Sequence, residues 1–191
     1  MSKVIVFTNL TLDGVMQAPG GPDEDRRGGF EHGGWAAPYN AMAQAGESMP
    51  TMDALLLGRR TYENFYAVWP KRKDSPYSAR LNAMQKYVAS TTLSEPLAWI
   101  NSTLLKGDAA QAVARLKQEL DKDLVIMGSG ELVQSLMRAN LIDEYVLLIH
   151  PLVLGSGRRL LPDGGAAATL RLAGTKTTTT GVVIATYQPA E

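Results

Sequence analysis

The sequence predicts a three-layer α/β domain whose mostly parallel central sheet is flanked by helices and ends in an antiparallel C-terminal edge. Three observations support this prediction. Short apolar runs without alternation, at residues 54–57, 124–127 and 144–150, are typical of strands covered on both faces. Stretches with helical apolar spacing alternate with such runs through most of the chain. Two β-rich runs at residues 170–175 and 181–188 then follow each other as in a hairpin.

The composition is that of a folded globular protein. The length of 191 residues fits a single domain over residues 1–191, with 45% hydrophobic and 20% charged residues. A formal net charge of zero provides no broad basic field for nucleic acid or an anionic membrane, so we expect neither as a partner. The absence of cysteine excludes disulfides and thiolate zinc sites, and two histidines do not favour any other metal site.

The sequence also predicts where the protein works. No apolar run reaches the roughly 20 residues of a membrane span. The first residues enter a probable strand at once and leave no room for a signal peptide. We therefore expect a cytoplasmic protein.

The first half of the chain predicts two strands and two helices around a long loop. Residues 3–9 are rich in β-branched side chains and predict a central strand. The glycine- and proline-rich residues 12–34 predict a long surface loop, a kind of segment that is usually functional or mobile. A helix is predicted over residues 35–47, with Pro38 in its first turn. A buried strand at 54–57 ends at Gly58, and a helix over 59–65 follows.

The second half continues the alternation. Residues 70–78 are interpreted as a solvated loop, and residues 86–90 and 98–101 as two short strands. Asp108 is a favourable N-cap for a helix over residues 109–120. The strand at 124–127 enters a glycine turn and a helix over 130–139. Threonines 177–180 are interpreted as a turn or strand edge within the C-terminal hairpin.

Three strand ends carry small, hydroxyl or basic residues. They are Gly58-Arg59-Arg60-Thr61, Ser90-Thr91-Thr92 and Gly128-Ser129-Gly130. Ligands of open parallel sheets bind beyond the carboxyl ends of the strands, and helix N-termini there favour anions. The guanidinium of Arg59 suits a phosphate, and the hydroxyl of Thr61 could hold a second one. Together the three ends predict a dinucleotide site, although small residues are also needed wherever a strand meets a helix.

Five stretches occur in a fixed order along nearly the whole chain. They are Leu12-Asp13-Gly14, the segment from Leu57 to Glu63, Gly128-Ser129-Gly130, Leu141-Ile142-Asp143-Glu144-Tyr145 and the segment from Pro151 to Gly157. In order and spacing the chain resembles the dihydrofolate reductase-like superfamily. Within it, the chain is most similar to the group of the C-terminal reductase domain of bifunctional riboflavin-biosynthesis enzymes. The resemblance implies an NADPH-dependent reductase and a homodimer.

The resemblance also implies which residues hold the cofactor. Arg59 would lie near the adenosine 2′-phosphate, with Ser90 and Thr91 beside the same end. Thr61 would hold the pyrophosphate together with the turn and helix start formed by Gly128, Ser129, Gly130, Glu131 and Leu132. The main chain near Asn9, with residues from Asp13 to Met16, would border the nicotinamide. Residues 16–21 would be the mobile loop that closes over it.

The sequence departs from the family at several positions. Folate reductases carry a carboxylate on the helix after the first loop, where this chain reads Trp35-Ala36-Ala37-Pro38-Tyr39-Asn40. Riboflavin-pathway reductases commonly have an acidic residue where this chain has Met127, and Ser129 replaces the second of two glycines that the family joins by a cis peptide. No cysteine or zinc motif of a fused deaminase is present.

Most of the remaining candidate residues have two interpretations. Asp13 is a candidate catalytic residue or a turn former, and Trp35 is a substrate platform or a packing residue. His150 is a general acid or a structural residue. Glu63 and Glu131 favour helix dipoles. Arg158 and Arg159 are a substrate-phosphate site or a solvated basic loop.

We predict an NADPH-dependent oxidoreductase that transfers hydride to a small heterocyclic substrate, as the pyrimidine reductase of riboflavin biosynthesis does. Catalysis would come mainly from holding nicotinamide and substrate face to face. The alternatives are dihydrofolate reductase activity, or a nucleotide-binding protein of the same fold without turnover.

Overall fold

The computed structural model describes residues 2–73 and 75–190. Its strands are β1 (Val4–Thr11), β2 (Ala54–Gly58), β3 (Gln85–Ala89), β4 (Ser102–Leu105), β5 (Leu124–Met127), β6 (Glu144–His150), β7 (Leu170–Thr177) and β8 (Val183–Pro189). Its α-helices are α1 (Ala41–Ala45), α2 (Arg59–Val68), α3 (Pro76–Ala83), α4 (Ala109–Glu119) and α5 (Gly130–Arg138). Within the described residues, no helix combines the length and the apolar character that a membrane crossing needs.

The strands form a mostly parallel sheet with an antiparallel edge, as the sequence predicts. Their order is β4-β3-β2-β5-β1-β6-β8-β7. Strand β2 pairs in parallel with both β3 and β5, β3 pairs in parallel with β4, and β1 pairs in parallel with β6. Strand β8 is antiparallel to both β6 and β7. The hydrophobic runs therefore predicted the fold class correctly.

The chain divides into two compact units. The first contains residues 2–4 and the described part of 51–141, and the second contains residues 5–50 and 142–190. Strands β2 to β5 with helices α2 to α5 belong to the first unit. Strand β1 from Ile5 onward belongs to the second, together with β6, β7, β8 and α1. A single domain over the whole chain stays a prediction.

The core of the first unit is built from strands that are covered on both faces. Leu55, Leu56 and Leu57 of β2 are fully buried, as are Leu124 and Ile126 of β5. Helix α5 adds an apolar face that includes Val133 and Leu136, both fully buried. This burial on both faces is the reason why the strand sequences show no alternation.

A buried lysine connects α3 to β3 in the same unit. The Nζ of Lys86 donates hydrogen bonds to the carbonyl oxygens of Leu81 at 2.8 Å and Met84 at 2.6 Å, at the end of α3. It also lies 4.5 Å from the centre of the Trp99 ring. Burial lowers the pKa of Lys86 to about 8.

Three sequence predictions are wrong. Residues 35–47 are not one helix, because Asn40 adopts φ 47°, in the left-handed region, and leaves only the five-residue α1 between short 3-10 turns. Residues 98–101 are not a strand, and β4 begins one residue later, at Ser102. The predicted loop 70–78 contains the start of α3 at Pro76, and its Asp74 lies outside the described residues.

Candidate active site

The carboxyl ends of three strands lie side by side in the first unit. In the parallel register Gly58 of β2 is opposite Ala89 of β3, and Leu56 of β2 is opposite Ile126 of β5. The residues that follow these strands therefore lie at one edge of the sheet, as expected from the sequence. They are Arg59 and Thr61, Ser90 and Thr91, and the turn and helix start of Gly128, Ser129, Gly130, Glu131 and Leu132.

Two helices begin at this edge. Helix α2 starts directly after Gly58, which has no side chain to cap it. Helix α5 starts directly after Ser129, whose side chain makes no bond to its own helix. The first N–H groups of an α-helix have no partner within the helix. The two N-termini thus offer backbone donors and the positive ends of their dipoles to an anion.

The turn between β5 and α5 is connected to the start of α2 by Ser129. Its Oγ accepts a hydrogen bond from the Gly58 N–H at 3.0 Å and donates one to the Met127 carbonyl at 3.2 Å. Its own N–H donates to the Thr61 Oγ1 at 3.1 Å. These bonds hold the starts of α2 and α5 next to each other at the carboxyl ends of β2 and β5.

The backbone of this turn explains why glycine precedes the serine. Gly128 has φ 61°, and a Cβ at that position would lie 3.3 Å from the Thr61 Oγ1. Ser129 also has a left-handed conformation, φ 54°, which normally costs a non-glycine residue about 1–2 kcal/mol. The peptide bond between Gly128 and Ser129 is trans, unlike the family turn with its two glycines.

The basic groups at this edge are exposed and paired with carboxylates. The Arg59 Nη1 lies 3.0 Å from the Glu63 Oε2, one turn further along α2. The Arg60 Nη1 lies 3.3 Å from the Glu131 Oε1 and joins the first turns of α2 and α5. Exposed pairs of this kind contribute at most about 1 kcal/mol, so a phosphate can displace either carboxylate from its arginine.

The third strand end is a hydroxyl-stabilised turn. The Ser90 Oγ accepts hydrogen bonds from the N–H groups of Thr92 at 3.1 Å and Leu93 at 3.0 Å. Thr91 is exposed to solvent. Ser90 therefore shapes the turn, while Thr91 is accessible at its surface.

A tyrosine that the sequence did not indicate lies beside Met127. The Tyr77 hydroxyl donates to the Met127 Sδ at 3.7 Å, and its ring meets the Trp69 ring edge-on with centroids 5.1 Å apart. Burial raises the pKa of Tyr77 to about 12. The contact was not predictable while α3 was interpreted as loop, although Ser75-Pro76 is an N-cap signal.

Asp13 of the second unit anchors a distant loop. Its Oδ1 accepts from the Thr11 hydroxyl at 2.6 Å, and its carboxylate accepts from the backbone N–H groups of Leu154 at 3.2 Å and Gly155 at 2.8 Å. The Thr11 hydroxyl and these N–H groups lower the pKa of Asp13 to about 2. At neutral pH Asp13 is therefore ionised and has no proton to donate. A catalytic role as a base or an electrostatic group stays a prediction.

The segment expected to be a mobile loop is packed in its first half. The Met16 N–H donates to the Arg158 carbonyl at 2.9 Å. Val15 and Ala18 are buried in a cluster with Phe30 and Trp35. Of the segment 16–21, Ala18 thus belongs to this buried cluster and Met16 is bonded to the backbone of Arg158, which are the contacts of a fixed loop.

Trp35 and His150 lie together in the second unit. Trp35 is buried, and its Nε1–H donates to the Gln17 carbonyl at 2.8 Å. Its ring meets that of His150 edge-on at 5.1 Å, and Tyr39 meets the same imidazole at 5.0 Å. The His150 Nε2 lies 2.9 Å from the Asn9 Oδ1. Trp35 is thus a packing residue in this structure, and its role as a substrate platform stays a prediction.

His150 is a buried, neutral side chain in this arrangement, and its role as a general acid stays a prediction. Burial lowers the pKa of His150 to about 4, so the imidazole is neutral near pH 7. Its Nε2 is engaged with Asn9. The sequence indicated a role only for the main chain near Asn9. In the structure the Asn9 side chain forms a polar pair with His150. The sequence signal for that pair was an amide and an imidazole towards the ends of two mostly apolar strands.

Comparison with known protein families identifies the chain. The model of the RibD C-terminal domain matches residues 2–184. The chain belongs to the RibD C-terminal domain family. This confirms the resemblance on which the sequence analysis relied.

The chain is also similar to individual known proteins. The uncharacterized protein YyaP of Bacillus subtilis is 31% identical over 192 residues, covering 97% of this chain and 94% of YyaP. A solved structure of a putative riboflavin biosynthesis protein from Shewanella sp. PV-4 has a TM-score of 0.67 at 22% identity, with 99% of each chain covered. Dihydrofolate reductase from Enterococcus faecalis, complexed with NADP(H) and RAB-propyl, has a TM-score of 0.64 at 12% identity, with 99% and 97% covered. At these identities the two solved structures show the fold alone.

Proposed function

We propose that this protein is an NADPH-dependent reductase that transfers hydride to a small heterocyclic substrate, in the manner of a riboflavin-pathway pyrimidine reductase. The observation that carries the proposal is the carboxyl edge of the first unit. There, two helix starts without side-chain caps lie next to Arg59 and to the hydroxyl of Thr61. Membership of the RibD C-terminal domain family supports the reductase class.

The residues at this edge fit a dinucleotide phosphate ester. Two arginines supply cationic donors, and Gly128 adds no side chain of its own where the turn faces Thr61 of α2. Arg59, Ser90 and Thr91 would hold the 2′-phosphate, and Thr61 with Gly128, Ser129, Gly130, Glu131 and Leu132 would hold the pyrophosphate. When bound, NADPH supplies the hydride. The chain contributes binding and orientation.

A pyrimidine-type substrate is favoured over a folate. Folate reductases use a carboxylate on the helix after the first loop, and the residues from Trp35 to Asn40 contain none. That region is moreover a 3-10 turn followed by a left-handed Asn40, not a helix face from which an acid would project. Dihydrofolate reductase activity is therefore the less favoured alternative.

A second candidate is a nucleotide-binding protein without turnover. It is favoured by one observation in the second unit: Asp13 is ionised and His150 is neutral at pH 7, so both groups considered for proton transfer are in their deprotonated form. In this candidate the NADPH site is retained, and no substrate oxidises the cofactor.

Two measurements on the pure protein separate these candidates. A fluorescence titration with NADPH and NADP⁺ tests binding, and the decrease in absorbance at the nicotinamide band with pyrimidine and dihydrofolate substrates tests turnover. We expect saturable NADPH binding and oxidation that depends on a pyrimidine-type substrate. Binding without oxidation by any substrate would favour the second candidate, and no NADPH binding would contradict both.

A further inference from the structure

His150 is an imidazole enclosed on every side at the end of β6. It has no exposed surface, and the rings of Trp35 and Tyr39 meet it edge-on with centroids 5.1 and 5.0 Å away. Strand β1 runs alongside in parallel, with Thr11 opposite His150. The residue is thus held by packing in one position and one ring orientation.

The hydrogen bond of this imidazole fixes its tautomer. The partner of its Nε2 at 2.9 Å is the Asn9 Oδ1, which only accepts, so the Nε2 carries the hydrogen. The Nδ1 then carries a lone pair, and among the described residues it has no partner. A buried polar atom without a partner costs about 1–3 kcal/mol, more than an apolar side chain of the same shape would cost at this position. The role of the histidine is therefore to be sought in what it does to Asn9.

The histidine makes Asn9 a donor of fixed orientation. An isolated asparagine amide presents an acceptor and a donor group that exchange places when the amide flips. Here the Nε2–H of His150 holds the Oδ1, so the amide has one orientation. Asn9 is partly buried, and within the described part of the chain its Nδ2 has no hydrogen-bond partner. A half-buried NH₂ group without a partner is a recognition group for an acceptor.

We propose that the Asn9 NH₂ donates a hydrogen bond to an uncharged carbonyl oxygen on a planar ring ligand, and that His150 is the positioning residue that aims this donor. The proposal rests on the proposed function, because it names the chemistry by which the same reductase would select its ring. Such a carbonyl has two sources, a ring lactam of the substrate or the carboxamide of nicotinamide. Both place an acceptor against the donor, whereas a ring amino group would place donor against donor.

A pair of pyrimidine probes tests the donor directly on the full-length protein without cofactor. Uracil carries ring carbonyls, and 2,4-diaminopyrimidine carries amino groups at the same positions. We expect wild-type protein, followed by tryptophan fluorescence or calorimetry, to prefer uracil by about tenfold, the ratio that one hydrogen bond of about 1.4 kcal/mol supplies. Asn9→Ala should abolish the preference, and Asn9→Asp, which presents acceptors only, should reverse it.

The role of His150 is tested by the same ratio, which a merely structural role would not change. His150→Phe keeps a ring between Trp35 and Tyr39 but removes the Nε2–H, so the Asn9 amide is free to flip and the uracil preference should fall towards unity. Tyr39→Phe is the matched control, because it keeps the ring contact with His150 and should leave the ratio unchanged. Circular dichroism spectra would verify that each variant is folded, and the Asn9 variants test the donor even where His150→Phe does not fold.

Nicotinamide mononucleotide separates the two sources of the carbonyl. If the substrate supplies the acceptor, Asn9→Ala should weaken the binding of uracil alone. If the cofactor supplies it, the substitution should weaken the binding of nicotinamide mononucleotide as well. Equal binding of uracil and 2,4-diaminopyrimidine to wild-type protein, or no binding of uracil and nicotinamide mononucleotide alike, would overturn the proposal. Failure of the proposed function would instead appear as lost NADPH binding, which these cofactor-free titrations do not involve.

Discussion

At the scale of single residues, Ser129 shows how this chain departs from its family without losing the turn. The serine is in the left-handed region, which glycine adopts without strain, and its side chain makes two hydrogen bonds that a glycine could not make. Net hydrogen bonds are worth about 0.5–1.5 kcal/mol each, enough to offset the backbone strain. Where the family turn has a glycine that tolerates this backbone conformation, this chain has a serine that bonds to Gly58 at the end of β2 and to Met127 at the end of β5.

Two substitutions of Ser129 should separate the contribution of its hydrogen bonds from the cost of its backbone strain. Ser129→Ala keeps the strained backbone and leaves the Gly58 N–H without its partner, so the free energy of unfolding should fall by about 1–3 kcal/mol. Ser129→Gly loses the same bonds but removes the strain, so its loss should be about 1 kcal/mol smaller. Urea denaturation measures both. Equal losses in the two variants would contradict the strain at this position.

Asp13 predicts a specific pH dependence of stability. Because folding lowers its pKa from the ordinary 3.8 to about 2, the carboxylate stabilises the folded state above pH 3.8. That contribution is lost as the pH falls from 3.8 to about 2. In melting curves between pH 7 and pH 2, the wild-type protein should be more stable than Asp13→Asn at neutral pH, and the gap should close below pH 3.8. A difference in stability that does not change with pH would contradict a stabilising role for the hydrogen bonds from Leu154 and Gly155 to the Asp13 carboxylate.

The sequence could indicate residue types but not these partners. Asp13 before Gly14 was predictable as a turn former, yet its contacts with Leu154 and Gly155 join residues more than 140 positions apart. The pair of Asn9 and His150 spans 141 positions in the same way. Such pairs depend on the tertiary arrangement of β1 and β6, on which local patterns carry no information.

At the scale of elements, the loop after β1 is held by one buried side chain. Gln17 is 4% exposed, and its Nε2 donates to the carbonyls of Asp25 at 3.2 Å and Arg27 at 2.9 Å. Its Oε1 accepts from the Arg158 N–H at 2.9 Å. The amide thus replaces a missing sheet or helix ladder for this stretch of backbone.

Removal of that amide should loosen the loop selectively. Gln17→Ala removes three hydrogen bonds between the side chain and the backbone of the loop and its neighbour, so trypsin should cleave after Arg26 and Arg27 faster than in the wild-type protein. Gln44→Ala, at a glutamine outside this loop, is the control. Equally rapid cleavage of both proteins, with the variant shown to be folded, would mean that the loop is already open in the wild-type protein and would restore the prediction of a mobile loop. Equally slow cleavage would mean that Gln17 is not what holds the loop.

The elements differ in how far the sequence predicts them. Strands β5 and β6 match residues 124–127 and 144–150, because their apolar runs are buried on both faces and end at clear breakers. The helix predicted over 35–47 fails because Asn40 takes a left-handed conformation that the alanine stripe does not reveal. The strand predicted over 98–101 fails because Trp99 packs instead on Lys86 and Tyr62.

At the scale of the whole molecule, the fold class was predictable from the alternation of buried runs and helical spacings. The meeting of three strand ends followed from the parallel sheet, because neighbouring parallel strands end at the same edge. What the sequence could not supply is the substrate chemistry, which depends on loops and on pairs such as Tyr77 with Met127.

The resemblance to the family predicts a homodimer, which we retain as a proposal. Sedimentation of the purified protein over a range of concentrations should give about twice the chain mass of 20.6 kDa. A mass of one chain at every concentration would contradict the prediction.

The central claim is that the carboxyl edge of the first unit binds NADPH, and Arg59 tests it most directly. Titrations of the wild-type protein and of Arg59→Ala with NADPH and NADH, followed by fluorescence, compare two cofactors that differ only in the 2′-phosphate. We predict that Arg59→Ala weakens the binding of NADPH by about tenfold or more, which is the effect of one charge-assisted phosphate contact. The binding of NADH should be nearly unchanged. An equal loss for both cofactors, or no binding of NADPH to the wild-type protein, would contradict the account.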